Sequence, residues 1–326
     1  MNKNYLITGI TGFAGPHLAN LLIEQGDKVS GLIRGSNGME TDILDVIPDK
    51  KFNEIKFIYG DLTNANQITE IIKDGKFYGI FHLAAQSHPP TSFKDPIGTF
   101  NTNANGTINL VHAIQKYSRD TKFMLCSTSE VYGRVEGKTT ENHPINPINP
   151  YGVSKAAADL YVRERAVSEE LPFFVTRAFS HTGPRRGKQF SISSDAYQIA
   201  RIIKGFQEPK INVGKLESKR VVMDVRDCVL AYLNLMESKF IPGEAYNVGG
   251  DEIYSMEELL DEMLKIKGLK EKVEISRDEK LVRKIGFGIQ IPDSTKLRNL
   301  TNWSPKIPIE KTLVDLLNYW EKKITI

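Results

Sequence analysis

Cysteine is scarce in this sequence. Cys126 and Cys228 are the two present among 326 residues, which excludes a disulfide framework and a cysteine-rich metal site. His82, His88 and His181 do not have the spacing of metal ligands, so we expect no metal. The composition is typical of a protein from a reducing compartment.

Long apolar runs and an excess of charge of one sign are also missing. No stretch of 18 apolar residues occurs, and the first residues, MNKNYLITGI, do not form an apolar leader. The 43 basic and 40 acidic side chains give a formal charge of +3, without a polybasic tract. We therefore expect a cytoplasmic protein with neither a membrane nor a nucleic acid as its partner.

Short apolar runs alternate with segments of helical periodicity in the first half of the chain. The runs are NYLIT, KVSGLIR, IKFIY, YGIFHLA, KFMLCS and PFFVT. Apolar strands separated by amphipathic helices predict a parallel sheet covered on both faces. We predict a Rossmann-type, doubly wound α/β domain over residues 1–180. A smaller mixed α/β domain should follow over 181–326, with segments near 220–250 returning to the first domain.

The first predicted strand runs into the glycine-rich stretch TGITGFAG. Gly9, Gly12 and Gly15 recur at three-residue intervals before an apolar helix. Backbone N–H groups at a helix N-terminus bind phosphate, and glycines let a pyrophosphate approach closely. Because strand, turn and helix follow in the required order, we interpret this stretch as a dinucleotide-binding turn.

The residues after the next three predicted strands indicate which dinucleotide binds. Arg34 and Ser36 follow the second strand, where an acid would favour NAD and an arginine suits the 2′-phosphate of NADP. The alternative for Arg34 is a solvated arginine at a strand end. Asp61 follows the third strand, where a carboxylate can meet the adenine amino group. The fourth ends in HLAA (82–85), whose small residues leave room for a flat cofactor but also suit plain packing.

The stretch PYGVSK (150–155) places Tyr151 one helical turn before Lys155. If a helix begins here, both side chains lie on one face. A neighbouring cation lowers the pKa of a phenol from its reference of about 10, so that the phenol can act as a base. The strand end in CSTSEVYG adds a hydroxyl at the sheet edge where ligands bind. The alternative is a Pro-started helix with an amphipathic Tyr and a snorkelling Lys.

These motifs together resemble the extended branch of the short-chain dehydrogenase/reductase superfamily, whose members act mainly on nucleotide sugars. The resemblance covers essentially the whole chain, through TGITGFAG, HLAA, NTNANGT, STSEVYG, PYGVSK, RAFSHTGPRRG, VGKLESKR, DVRDCVLAY and NWSPKIPIEKTL. Within that branch, STSEVYG and PRRG are similar to GDP-mannose 4,6-dehydratase. SHTGP and WSPKIPIEKTL are equally similar to GDP-4-keto-6-deoxymannose reductase.

The resemblance implies NADP as cofactor, a nucleotide sugar as substrate, GDP-linked in these relatives, and a homodimer or homotetramer. It assigns catalysis to Thr128, Ser129, Glu130, Tyr151 and Lys155. The expected cofactor-binding residues are Gly9, Gly12, Phe13, Gly15, Arg34, Ser36, Asp61, Leu62, Leu83, Ala84, Ala85, Tyr151 and Lys155. The expected substrate-binding residues are Ser87, Ser180, Arg185, Arg186, Lys219, Arg220 and Arg283. The resemblance places Arg185, Arg186, Lys219 and Arg220 near the diphosphate or a neighbouring subunit, and the alternative for Lys219 and Arg220 is a solvated turn.

Glu130 favours a dehydratase over a reductase. A 4,6-dehydratase oxidises C4 of the hexose, removes the C5 proton, expels the C6 hydroxyl as water and returns the hydride to C6. Glu130 stands two residues beyond Thr128, so on an extended strand end both project to one face and Glu130 can serve as the C5 base. A surface carboxylate is the alternative for Glu130.

For the protein, the alternatives are a reductase or epimerase on the same fold, or a dinucleotide sensor, which generally lacks the Tyr–Lys pair.

Two departures from the relatives leave the sugar and the nucleotide base open. Ser180 stands where relatives usually carry an asparagine that contacts the substrate. Arg283 is kept, but Lys284 and Gly286 replace the proline and glutamate of the relatives' RPxEV. A larger sugar, or a nucleotide other than GDP, remains an alternative.

Overall fold

A computed structural model describes residues 2–35, 40–281 and 288–324 as an α/β fold. The strands are β1 (Asn4–Thr8), β2 (Lys28–Ile33), β3 (Ile55–Tyr59), β4 (Gly79–His82), β5 (Lys122–Thr128), β6 (Gly137–Thr139), β7 (Phe173–Ala178), β8 (His181–Thr182), β9 (Lys210–Val213), β10 (Lys219–Val221), β11 (Met223–Asp224), β12 (Ala245–Val248), β13 (Ile253–Ser255), β14 (Glu274–Arg277) and β15 (Gln290–Pro292). The helices are α1 (Gly15–Glu24), α2 (Asp49–Phe52), α3 (Ala65–Gly75), α4 (Pro89–Lys94), α5 (Pro96–Phe100), α6 (Gly106–Tyr117), α7 (Pro150–Ser168), α8 (Ser191–Ile203), α9 (Val225–Glu237), α10 (Met256–Ile266), α11 (Thr295–Thr301) and α12 (Ile309–Lys323).

Seven strands form one parallel sheet in the order β12-β7-β5-β4-β1-β2-β3. Most are apolar runs buried on both faces, as a parallel sheet between helix layers requires. The strand order reverses at β1, which has β2 on one side and β4 on the other. Ligands of open α/β sheets bind outside the carboxyl ends of the strands at such a point. The predicted Rossmann-type doubly wound sheet is confirmed.

Helices cover both faces of this sheet. On one face α1 and α9 contribute Leu22 and Val229 to the core. On the other, α3, α6 and α7 contribute Ile68, Leu110 and Val162. Burying each such side chain stabilises the fold by about 1.5–3 kcal/mol relative to leaving it exposed. The two clusters hold the carboxyl edge of the sheet in place for the site described below.

The second half of the chain forms a lobe with its own apolar cluster, in which α8, α10 and α12 contribute Ile199, Met263 and Leu316. The capping box of Ser255 and Glu258 at the start of α10 is present as the sequence indicates. β12 leaves this lobe and pairs with β7 in the main sheet. The domain boundary near residue 180 stays a prediction. In the described ranges no helix is both long and apolar enough to cross a membrane.

A buried ion pair joins β7 to α7. Arg177 donates to both carboxylate oxygens of Asp159, at 2.9 and 3.0 Å, and the two residues are 1% and 0% exposed. Arg177 also donates to the Tyr132 hydroxyl at 3.1 Å, and that hydroxyl donates to Asn247 at 2.7 Å. The pair therefore connects β7, α7, β12 and the turn after β5.

We expect Asp159→Asn to lower the free energy of unfolding by about 3–5 kcal/mol, because it leaves the Arg177 charge buried without a counter-ion. Urea denaturation of the purified protein measures the change. The control is Lys210→Gln, which breaks the exposed pair with Glu274 and should cost less than about 1 kcal/mol. Equal effects of the two substitutions would contradict the expectation.

Candidate active site

A cleft of about 1810 Å³ opens at the carboxyl edge of the sheet, against the second lobe. Most of the predicted site residues line it. These are Gly9, Gly12, Phe13, Gly15, Arg34, Asp61, Leu62, Leu83, Ala84, Ala85, Ser87, Thr128, Ser129, Glu130, Tyr151, Lys155, Ser180, Arg186, Lys219 and Arg220. Arg185 does not line the cleft, and Ser36, Arg283, Lys284 and Gly286 lie outside the described residues.

The turn between β1 and α1 packs too tightly for a side chain at Gly9 or Gly15. A Cβ added at Gly9, whose φ is +75°, would lie 2.8 Å from backbone atoms of Ala84. A Cβ at Gly15 would lie 2.4 Å from the Gly9 carbonyl oxygen. The turn brings the N-terminus of α1 to the edge of the cleft, where a helix favours an anion.

Arg34 and Asp61 stand at the ends of β2 and β3. The Asp61 carboxylate accepts from the Thr63 backbone N–H at 2.8 Å and from its hydroxyl at 2.7 Å. The Thr63 bonds and the nearby Arg34 charge lower the pKa of Asp61, against a smaller opposing effect of burial. Arg34 is exposed to the cleft, so its charge can meet an anion such as a 2′-phosphate.

Lys155 and Ser127 are buried polar groups of the cleft that have no partner in the described part of the chain. Lys155 is 2% exposed and makes no hydrogen bond or ion pair there, and burial lowers its pKa. The Ser127 hydroxyl is buried and equally unsatisfied. Buried polar groups are almost always paired in proteins. The two groups therefore fit a ligand that brings hydroxyl and amide groups, as a nicotinamide dinucleotide does.

Helix α7 places Tyr151 and Lys155 on one buried face, as the sequence predicts. Pro150 is its first residue, and the Asn149 side-chain oxygen accepts from the Gly152 backbone N–H at 2.7 Å. The Tyr151 backbone N–H donates to the Ser92 hydroxyl at 3.0 Å. The start of the helix is thus fixed at both its cap and its first turn.

Thr128, Glu130 and Tyr151 come together in the cleft. Thr128 ends β5, and its hydroxyl accepts from the Glu130 backbone N–H at 3.2 Å. The Thr128 hydroxyl is also close enough to the Tyr151 phenol to lower its pKa. The Glu130 carboxylate accepts from the Asn149 amide at 2.8 Å. The expectation that Glu130 continues an extended strand is wrong. Residues 129–132 form a 3₁₀ turn capped by Thr128, and this turn brings Glu130 to the cleft.

The net direction of the Tyr151 pKa differs from the sequence expectation. Burial is the largest influence and raises the pKa of the phenol, and the charge of Glu130 raises it further. The hydrogen bond from Thr128 and the positive charge of Arg186 lower it. Lys155 is not among the groups that shift it. The predicted lowering of the Tyr151 pKa by Lys155 is therefore wrong.

Arg185 contacts the glycine turn and does not line the cleft, so the structure does not place it among the other predicted substrate-binding residues. Its guanidinium donates to the carbonyl oxygens of Gly12 at 3.1 Å and Thr11 at 2.7 Å. It also pairs with Asp45 at 2.6 Å. Its left-handed backbone, at φ +72°, turns the chain so that successive arginines diverge. Arg185 therefore stabilises the glycine turn from a position outside the cleft.

Arg186 stands in the cleft itself. Its guanidinium lies 3.5 Å from the centre of the Phe190 ring and 4.8 Å from that of Phe13. Burial lowers its pKa to about 10, so it stays charged at neutral pH. Phe13 in turn stacks on His181 at 5.6 Å. The stack connects the glycine turn to the segment after β8.

The opposite wall carries further cations. Lys219 and Arg220 lie on β10, and Ser180 follows β7, whereas Ser87 is an exposed residue of the loop after β4. The cleft therefore presents both hydroxyl groups and positive charge to a ligand. Such an arrangement suits a ligand with a neutral polar head and an anionic middle.

Two positioning residues were not predicted from the sequence. Asn149 connects Glu130 to the start of α7, and an asparagine before a proline is a helix N-cap signature that could have revealed it. Gln290 donates to the Gly133 carbonyl oxygen at 2.7 Å and so supports the Glu130 turn. No local pattern announces Gln290, because its partner is 157 residues away.

The fold, the glycine turn and the Tyr151–Lys155 pair beside Thr128 define a dinucleotide-binding enzyme of the short-chain dehydrogenase/reductase type. The extended branch of that superfamily is indicated by the lobe formed by the second half of the chain.

Comparison with known proteins identifies the family. The family model described as GDP-mannose 4,6 dehydratase matches residues 6–316, so the chain belongs to the GDP-mannose 4,6-dehydratase family. It is 30% identical to GDP-mannose 4,6 dehydratase 1 of Arabidopsis thaliana, over 95% of this chain and 87% of that protein. It is 29% identical to GDP-6-deoxy-D-mannose reductase of Pseudomonas aeruginosa, over 99% of both chains. The structure of RMD from Pseudomonas aeruginosa complexed with NADPH superimposes with a TM-score of 0.83 at 28% identity, covering 98% of this chain and 100% of that chain.

We expect Asn149→Ala to lower turnover with GDP-mannose by roughly tenfold or more, because Glu130 and the start of α7 lose their shared hydrogen-bonding partner. Loss of the cap should also lower the free energy of unfolding by about 1 kcal/mol. Steady-state kinetics and urea denaturation measure the two effects.

Asn64→Ala is the matched control, since Asn64 caps α3 through the Gln67 backbone N–H. It should lose about the same stability and keep full turnover. A similar loss of turnover in both variants would mean that Asn149 acts only through helix stability.

Proposed function

We propose that this chain is an NADP-dependent dehydratase that converts GDP-mannose to its 4-keto-6-deoxy product. The observation that carries the proposal is the position of Glu130, a carboxylate held by Asn149 beside the Thr128 and Tyr151 hydroxyls. Elimination needs a base at C5 next to the group that takes the C4 hydroxyl proton. A reduction needs only the latter group.

The residues that would hold NADP follow from the shape and charge of the cleft. Gly9, Gly12 and Gly15 would hold the pyrophosphate, Arg34 the 2′-phosphate, and Lys155 the ribose hydroxyls. Phe13, Asp61, Leu62, Leu83, Ala84 and Ala85 would form the walls around it. When bound, NADP supplies the acceptor for a hydride from C4 of the hexose and the donor of that hydride to C6.

Two protein groups handle the protons. Tyr151 acts as the phenolate and takes the proton of the C4 hydroxyl, with Thr128 hydrogen-bonded to the same oxygen. The resulting C4 ketone acidifies the C5 hydrogen, and Glu130 takes it as a proton. The C6 hydroxyl leaves as water with the proton held by Tyr151. Glu130 returns its proton to C5 once C6 has gained hydride, so both groups end the cycle in their starting state.

Cations would bind the diphosphate of the substrate. Arg186 is positioned by Phe13 and Phe190 and makes no ion pair in the described part of the chain. Lys219 and Arg220 of β10 line the same cleft. Ser129, Ser87 and Ser180 are proposed sugar contacts. The role of Arg283 stays a prediction, because Arg283 lies outside the described residues.

A second candidate is a reductase of a GDP-4-keto-6-deoxy sugar. The similarity to the Pseudomonas aeruginosa reductase along nearly the full length of both chains favours it. In that reaction Tyr151 donates a proton to the C4 oxygen, and Glu130 has no step. An epimerase on the same scaffold would share that proton transfer.

Incubation of the purified protein with GDP-mannose and catalytic NADP separates the two candidates. A dehydratase should form the 4-keto-6-deoxy product, detected by mass spectrometry, without net NADPH formation or consumption. Glu130→Gln should slow product formation by about 10²–10⁴-fold and still form NADPH in a single turnover. Glu217→Gln is the control, an exposed cleft carboxylate that should leave turnover unchanged. NADPH oxidation with a keto sugar alone would overturn the dehydratase in favour of the reductase.

We also propose a homodimer formed through α4, α5 and α7. These neighbouring helices expose Phe93, Ile97, Val153 and Leu160, at 59%, 75%, 46% and 51%. A contiguous apolar face of this kind is typical of a protein interface. The face lies on the opposite side of α7 from the buried Tyr151 and Lys155, so association leaves the cleft open.

Ile97→Glu combined with Leu160→Glu should shift the molar mass in solution from dimer to monomer, because each glutamate places a charge in the interface. Light scattering coupled to size-exclusion chromatography measures the mass. Ile275→Glu, at an exposed apolar residue of β14 in the second lobe, should leave it unchanged. A monomeric wild type would contradict the proposal.

The division of the chain and its location remain proposals as well. We infer that residues 1–180 bind NADP and residues 181–326 bind the nucleotide sugar, with the strand near 245 shared between them. A cytoplasmic location is supported by Cys126 and Cys228, which are both free thiols.

A further inference from the structure

The cleft has one carboxylate that stands apart from the others. Asp195 lies in the first half of α8, is 6% exposed and lines the cleft. It makes no hydrogen bond or ion pair with any residue in the ranges 2–35, 40–281 and 288–324. Other cleft carboxylates have partners there: Asp61 with Thr63, Asp95 with Gly98, Glu130 with Asn149, Glu136 with Ile289 and Glu217 with Arg277.

The surroundings of Asp195 do not compensate for its burial. α8 packs on the apolar cluster of the second lobe through Ile192, Ala196 and Ile199. The nearby Ser193 hydroxyl is already used, since it bonds the Arg186 carbonyl and accepts from the Trp320 indole. Burial alone raises the pKa of Asp195 to about 7. A carboxylate that is buried and unpartnered at the wall of a cleft indicates a ligand that supplies hydrogen-bond donors.

The position of Asp195 relates it to the nucleoside end of the substrate. Tyr151 and Glu130 mark the hexose end, and Lys219 with Arg220 mark the anionic middle. Asp195 lines the same cleft from α8 of the second lobe, and α8 packs against β9, whose Asn212 is also part of the cleft wall. A nucleoside that extends away from the hexose reaches this wall.

Guanine is the base whose donors match a carboxylate. Its N1–H and N2 amino group are adjacent and parallel, so the two oxygens of one carboxylate accept both. Uracil and thymine have a single N–H, and cytosine has only its amino group. We propose that Asp195 recognises the guanine base of the substrate through these two hydrogen bonds, an inference that rests on the proposed GDP-sugar function.

Recognition of this kind selects against other nucleotides. A base without the donor pair leaves the buried Asp195 oxygens unpaired, and sites built to bind a donor reject analogues that lack it. Hydrogen bonds to a charged group are also the stronger class. Asp195 is therefore a specificity-determining residue and takes no part in the proton transfers at the hexose.

The test measures binding of GDP, inosine diphosphate and UDP to the NADP-loaded enzyme by calorimetry. Inosine diphosphate keeps N1–H and lacks the N2 amino group, so the wild type should prefer GDP to it by roughly tenfold. Asp195→Asn should weaken GDP binding on the order of 10- to 100-fold and abolish the preference over inosine diphosphate. The wild type should bind UDP more weakly than GDP, and this difference should be absent in Asp195→Asn.

Glu217→Gln removes the same charge from an exposed cleft position and should change GDP binding by less than about twofold. Unchanged NADP affinity shows that the Asp195→Asn protein is folded. GDP binding equal to that of the wild type would overturn the inference, as would equal weakening of both purine nucleotides with the preference kept. A wild type that binds no guanine nucleotide would overturn the proposed function itself, and this inference with it.

Discussion

The buried ion pair of Arg177 and Asp159 fixes the separation of the two segments that carry the reactive side chains. Asp159 lies on α7 two turns after Tyr151, and Arg177 lies on β7 next to β5, whose end provides Thr128. The third arm of Arg177 contacts Tyr132, which closes the turn that contains Glu130. A bidentate guanidinium–carboxylate contact has one favourable geometry. Breaking that contact inside the protein would leave an unpaired charge in an apolar medium. The helix and the turn therefore meet in one arrangement.

The buried polar groups of the cleft are not paired as those of the scaffold are. Behind the cleft, Arg177, Asp159 and Tyr132 satisfy one another, whereas Lys155 and Asp195 at its walls are buried polar groups without partners in the described part of the chain. Unpaired buried groups lower stability, and proteins retain them where a ligand completes the set. The contrast separates the scaffold, which is complete by itself, from a surface that is complete only with the dinucleotide and the substrate.

Burial is the largest influence on the pKa of Tyr151, and it raises that pKa. The apolar surroundings and the charge of Glu130 both oppose loss of the phenol proton, and Arg186 favours it. Because Arg186 is held by the Phe13 ring of the glycine turn, the cofactor turn and the phenol share one cation. In the function proposed above, this site oxidises or reduces at C4, and the carboxylate of Glu130, which Asn149 holds in place, adds elimination.

The sequence by itself determined the parallel sheet, the glycine turn and the Tyr151–Lys155 face, because each depends on spacing within one strand, turn or helix. The tertiary structure decided what depends on packing between distant segments. Arg185 and Arg186 are adjacent and chemically identical, yet one braces the glycine turn and the other enters the cleft. Gln290 supports a turn 157 residues earlier, and Asp195 is exceptional only because its surroundings lack a partner. Local periodicity does not predict such neighbours, because these contacts form between distant segments when the two lobes pack together.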